Sequence, residues 1–241
     1  MTSYFFVLLV GLVAGVVSGV IGTGSSIMLL PILVYTFGPK QAVPIMAVAA
    51  VMANFARVLA WWRLVDWRAF AAYSVTGIPA AALGARTLLA LPADIVNACL
   101  GIFFLFMIPA RHWLRKHDFR LKLWQLAIAG AGIGYLTGLV LSTGPLSVPA
   151  FTAYGLTKGA FISTEAASSL FLYISKLTTF SELGALPPDI FMKGVLVGAS
   201  LMAGTFAGKI VMLKLSDNGF RLLLDALLFC SGLSLLWAAI R

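Results

Sequence analysis

Residues 11–31 read Gly11-Leu12-Val13-Ala14-Gly15-Val16-Val17-Ser18-Gly19-Val20-Ile21-Gly22-Thr23-Gly24-Ser25-Ser26-Ile27-Met28-Leu29-Leu30-Pro31. Three glycines spaced four apart line one face of an apolar helix, a pattern that lets transmembrane helices approach closely. Gly22 to Ser26 then break that helix before a short apolar segment ending at Pro31. The same figure returns 119 positions later, where Gly130, Gly134 and Gly138 lead into Ser142-Thr143-Gly144-Pro145 and on to Pro149. Gly84 and Gly208 occupy similar places further on, each followed by a break, at Leu91-Pro92 and Leu215-Ser216, before a last helix. A duplication is the economical explanation.

Around these segments the chain is 61% hydrophobic and 10% charged, against about 45–50% and about 25% in a soluble domain. A water-soluble globule of 241 residues is excluded. Apolar runs fall at 4–22, 26–38, 43–62, 69–91 and 94–110, then at 123–142, 146–155, 160–183, 189–214 and 219–240. The second run of each half is too short to span: about 12 helical residues rise about 18 Å against a hydrocarbon core of about 30 Å. The expected fold is therefore an all-α polytopic membrane protein of two repeats. It has about eight full-length transmembrane helices, plus one short half-helix after a Gly/Ser break in each repeat. Residues 1–110 form the first repeat and 123–241 the second, joined by the basic linker 111–122, which belongs on the cytoplasmic side.

If each half-helix returns the chain to the side it came from, each half crosses an odd number of times and the repeats are inverted. With the linker inside, that topology places twelve Lys/Arg inside and five outside, against eleven and six for parallel repeats. The inverted arrangement is favoured by this narrow margin and the parallel one stays open. Among the five on the outside are Lys40, Arg86 and Lys193.

Helix breaks in a membrane are tolerated only where the freed backbone is buried in protein or lines a wet cavity. Paired breaks in corresponding places of two halves point to a substrate site. Each break here starts a short helix whose free N–H groups and positive dipole end favour an anion. Thr23, Gly24, Ser25 and Ser26 in one half, and Ser142, Thr143, Gly144 and Ser147 in the other, supply backbone and hydroxyl donors. The competing reading is that these hydroxyls only cap their own half-helices.

Ionisable residues inside spans are costly and face a cavity or a partner. Arg57 lies in the third run with Asn54 one turn before it, and Lys176 lies at a roughly corresponding place in the eighth. Two such cations suit an anion path, although Arg57 has the alternative of snorkelling to the interface beside Arg63. Glu165 lies near the start of the eighth run, with Thr164, Ser168 and Ser169 beside it. It is a candidate proton carrier, because an ionised carboxyl is costly to keep in hydrocarbon. A salt bridge, for instance with Lys176, is the alternative.

Other chemistry is excluded or unsupported. No HExxH, CxxC, GxGxxG or P-loop pattern occurs, so no metal, cofactor or ATP-driven pump is expected. The histidines are His112 and His117 in the linker, which leaves no base for a serine nucleophile at Ser25. The protein is not expected to be an enzyme. The +9 charge flanks apolar runs instead of forming a stripe, which argues against a nucleic-acid partner. Cys99 and Cys230 read as core residues, and Trp61, Trp62, Trp67, Trp113 and Trp237 as interfacial belts. With no basic n-region and no small-residue cleavage site, the first helix is expected to be retained.

At these residues the chain resembles the TauE/SafE family of sulfite exporters, also called the toluene sulfonate uptake permease family. The resemblance rests on the Gly ladder leading into Gly22-Thr23-Gly24-Ser25-Ser26 and Pro31, the Val65-Asp66-Trp67 loop, and the Gly77 and Gly84 helix. The second copy adds Gly134, Gly138, Thr143, Gly144 and Pro149. Ser25 and Ser26 depart from the run of three glycines usual in the family at the first break. The resemblance implies passage of small sulfur-containing oxyanions or organosulfonates across a bacterial inner membrane.

The expectation is thus a multi-pass secondary transporter of small sulfur anions, an exporter by resemblance, with membrane lipid and a coupling ion such as the proton as its further partners. A passive anion channel shares every one of these features. A non-transporting scaffold using the basic linker as its docking surface is the rival of a different class.

Overall fold

The computed structural model describes residues 2–21, 25–116, 120–140, 144–211, 229, 230, 233, 236 and 237. The last apolar run of the sequence lies largely outside this set. Among the described residues all regular structure is helical, in the order α1 (Thr2–Ile21), α2 (Ser25–Phe37), α3 (Pro39–Trp61), a 3-10 turn (Trp62–Leu64), α4 (Trp67–Ala90) and α5 (Ala93–Lys116), followed by α6 (Leu123–Val140), α7 (Gly144–Tyr154), α8 (Lys158–Glu182) and α9 (Pro188–Val211). The short second member of each half is present: α2 rises about 20 Å and α7 about 16 Å at 1.5 Å per residue.

Local signals explain the boundaries. Gly38 holds φ 76° and Pro39 opens α3, a pairing of left-handed turn and helix-starting proline. Asp66 caps α4, its Oδ1 accepting from the backbone N–H of Arg68 and Ala69, both at 3.0 Å. Helix α5 continues beyond the apolar run into the basic stretch as far as Lys116, since Arg, Leu and Lys are good helix formers and cations suit a helix C-terminus.

The glycine ladders are the seams of the bundle, and they join each half to the other. A Cβ on Gly11 would overlap Ser200, and one on Gly15 would overlap Leu201 and crowd Gly204, so α1 lies against α9. Likewise Gly130 abuts Tyr73, Gly138 abuts Ala81, and a Cβ on Gly134 would come within 2.5 Å of the Gly77 carbonyl, so α6 lies against α4. Along both seams the residue numbers rise together, so each pair is parallel.

Two further contacts fix the remaining directions. Gly194 meets Ile45 and Val48 and Gly198 meets Met52, so α9 also runs parallel to α3. By contrast Gly159 meets Trp61 and Leu64 while Glu165 meets Arg57, so α8 runs antiparallel to α3. Because α1 and α3 both run with α9, α2 carries the chain back toward the side from which α1 set out.

Apolar side chains face outward as well as inward. Val75 is 72% exposed and Ile128 63%, with Phe106, Leu83 and Phe206 also exposed, a surface that suits lipid and not water. By length and composition, Lys40–Leu64 and Pro188–Ala207 qualify as membrane spans among the described residues. Helix α8 carries Glu165, Lys176 and many Ser and Thr residues, which lowers its apolar content. Trp62, Trp67, Trp113 and Trp237 are exposed. Cys99 is half-buried and Cys230 exposed, a correction to the core reading of Cys230: in a helix facing lipid, apolar neighbours in sequence do not mean burial.

Candidate functional site

Toward the end of α3 and the start of α8, the antiparallel α3/α8 contact is polar. Arg57 and Glu165 are 6% and 3% exposed, and Arg57 Nη1 lies 3.6 Å from Glu165 Oε2. Arg57 Nη2 donates to Asn54 Oδ1, and Asn54 Nδ2 donates to the Ala50 carbonyl at 2.8 Å, which fixes the amide's orientation. Glu165 Oε1 accepts from Ser169 Oγ at 2.8 Å, one turn along α8, and from Ser147 Oγ at 3.1 Å, in the first turn of α7. The α7 half-helix therefore presents its N-terminal end to a carboxylate of the protein itself. Arg57 Nε and Nη1, Glu165 Oε2 and Ser168 Oγ are buried and make no hydrogen bond among the described residues. The pair thus keeps hydrogen-bonding capacity that neither partner uses.

Snorkelling does not describe Arg57, which is buried, whereas Arg63 is exposed with its guanidinium 5.5 Å from the Trp62 ring centre. Nor does Glu165 pair with Lys176. The two are 11 residues apart on one helix, hence about 16 Å apart along its axis, beyond side-chain reach.

Lys176 forms a second polar point on the same helix. It is fully buried, its Nζ donates to the Thr137 carbonyl of α6 at 3.0 Å, and it lies 5.3 Å from the Phe180 ring centre. Among the described residues no carboxylate is paired with it. One turn earlier, Tyr173 hydrogen-bonds Ser26 in the first turn of α2, so the first half-helix begins beside this part of α8. Ser25 is buried beside Ser26.

Thr23, Gly24, Ser142 and Thr143 lie outside the described residues. Gly144 starts α7, and its carbonyl accepts a hydrogen bond from Ser147 at 3.2 Å. Thr164 serves the scaffold, with its Oγ1 accepting the Asp66 N–H at 2.9 Å. Arg86 is exposed and apart from this cluster.

Sequence reasoning did not single out the two tyrosines. Tyr73 and Tyr173, both buried, lie within electrostatic range of Glu165. The signal for Tyr173 was present, since it stands 119 residues after Asn54, the same interval that separates Lys176 from Arg57.

A helical bundle with an apolar exterior and with buried cations and hydroxyls at its crossing helices has the character of a polar-cored membrane protein. The family model for the sulfite exporter TauE/SafE matches residues 7–235, and the chain belongs to that family, whose members are membrane exporters or permeases of sulfite and related sulfur anions. No curated protein and no solved structure matched the chain.

Proposed function

We propose that this protein is a multi-pass secondary transporter of the bacterial inner membrane that exports small sulfur-containing anions such as sulfite or organosulfonates. The observation that carries the reading is the placing of Arg57 and Lys176, buried and 119 residues apart, on counterpart helices α3 and α8 that cross antiparallel. Buried cations of this kind mark anion pathways in membranes.

The fold is read as two inverted repeats, 1–110 and 123–241. Support comes from the opposed directions of α3 and α8 and from the return of the chain by α2. The anion passes near the midplane between the start of α7, at Ser147 and Ser168, and the start of α2, at Ser25 and Ser26 beside Lys176. Thr23, Gly24, Ser142, Thr143 and Gly144 complete the two breaks, and Asn54 orients Arg57. Glu165 carries the coupling proton: when it is protonated, Arg57 loses its counter-charge and becomes available to an anion. Access alternates by rocking one repeat against the other.

The test is counterflow in proteoliposomes. Protein preloaded with unlabelled sulfite should accumulate labelled sulfite with saturable kinetics. Single-channel currents without saturable exchange would replace the carrier by a channel, and no flux of any sulfur anion would remove the transport reading.

A further inference from the structure

The residues of the Arg57–Glu165 contact have repeat-related positions, Lys176 and Met46, of which neither is an acid. Lys176 follows Arg57 by 119 residues, and Glu165 follows Met46 by the same 119. Helices α3 and α8 are antiparallel, so moving 11 residues back along α3 from Arg57 and 11 forward along α8 from Glu165 arrives at Met46 and Lys176. Eleven residues are close to three helical turns, so each step returns to the same helix face. Met46 and Lys176 are both fully buried. Met46 also belongs to the apolar cluster that holds Tyr173 and Phe180, the α8 residues flanking Lys176 by about one turn on either side.

We propose that Met46 is a specificity-determining position: by setting a thioether where the equivalent contact has a carboxylate, it leaves Lys176 as the cation whose counter-charge is the transported anion. The proposal rests on the transporter reading and divides its labour. Arg57 is neutralised from within by Glu165 until that carboxylate is protonated and so links anion to coupling proton, whereas Lys176 has no internal carboxylate and takes the substrate. The anion's oxygens accept from the two Nζ protons that the Thr137 carbonyl does not use. A singly or doubly charged oxyanion fits this point, and a neutral or cationic solute does not, since it would leave the ammonium buried and unpaired.

Met46→Glu tests the idea in two measurements on the full-length protein in detergent. The first is a ligand-free stability cycle with Lys176→Met. If position 46 faces a charged Lys176, the new glutamate finds a partner, and it should lower Tm by at least about 3 °C less when Lys176 is present than when Met replaces it. Equal losses in the two backgrounds overturn the assignment.

The second measurement is equilibrium binding of sulfite. Met46→Glu and Lys176→Met should each weaken it at least about thirtyfold, the scale for disabling a buried charge contact. Met46→Gln, similar in size but uncharged, should weaken it far less than Met46→Glu. Equal losses for Gln and Glu, or wild-type binding in Met46→Glu, overturn the proposal. If wild-type protein binds neither sulfite nor an organosulfonate, the transporter reading fails, and with it the substrate assignment. The stability cycle then still decides whether Lys176 faces position 46.

Discussion

Removing the charge from Glu165 while keeping its shape isolates what the buried ion pair contributes. In Glu165→Gln the amide oxygen can still accept from Ser169 and Ser147, which lie at 2.8 and 3.1 Å from Oε1, so those two hydrogen bonds survive. What is lost is the charge 3.6 Å from Arg57 Nη1, leaving a guanidinium that is 6% exposed without a counter-ion. At that separation the attraction is about 4–5 kcal/mol for an effective dielectric of about 20. Breaking one partner of a buried pair costs about 3–5 kcal/mol. With the hydrogen bonds retained, about 3 kcal/mol is expected for Glu165→Gln and a similar amount for Arg57→Gln. The double variant strands no charge and should cost no more than either single change, giving a coupling of at least about 3 kcal/mol, within the range found for close charge pairs. The assay is reversible unfolding in mixed micelles, followed by tryptophan fluorescence, for the four proteins of the cycle. A coupling below about 0.5 kcal/mol, the level of independent sites, would refute the pairing of Arg57 with Glu165.

Three further outcomes are expected. In proteoliposomes Glu165→Gln should retain sulfite counterflow but lose acceleration by an imposed pH gradient; an unchanged response to the gradient would remove Glu165 from coupling. Gly134→Val should destabilise the α4/α6 seam by at least about 1–3 kcal/mol, the cost of overpacking, because even a Cβ there crowds the Gly77 carbonyl. Gly132→Ala, with nothing within 4 Å of a new Cβ, should leave the midpoint of a detergent melt nearly unchanged, and the pair can be scored by gel filtration after heating. Asp66→Ala should cost about 1 kcal/mol through loss of the α4 cap, read as a fall in Tm of about 2–4 °C, with Asp66→Asn largely preserving it.

Much of the architecture was legible because glycine and proline punctuate the chain so clearly. The short α2 and α7 follow from breaks that the residues announce, and the glycine ladders identify surfaces of close helix contact. Which helices those ladders meet was not legible: Gly15 carries no mark pointing to Leu201 rather than to a neighbouring element of its own half. The site divides in the same way. Arg57, Asn54, Glu165, Ser147 and Lys176 stand out because polar groups inside apolar runs demand partners. Pairing Glu165 with Arg57 instead of Lys176 depends on the α3/α8 register, a tertiary fact, although the helical rise alone would have excluded Lys176. Exposure was the least legible property. Cys230 shows why, since against lipid an apolar sequence is compatible with either side of a helix.

The exchange of seams between halves has a consequence for how the chain is made. The Thr205 hydroxyl meets the Gly15 carbonyl across 190 residues of sequence, whereas Thr76 reaches Ala127 across 51. At about 5–20 residues per second, α1 waits roughly 10–40 s in the bilayer before its partner exists, and α4 only roughly 3–10 s. Until α9 arrives, the glycine face of α1 is a vacant berth open to any passing helix with small residues. A premature stop or a slow stretch of synthesis before residue 188 would strand it there, so the second half is needed to shelter the first from mispairing.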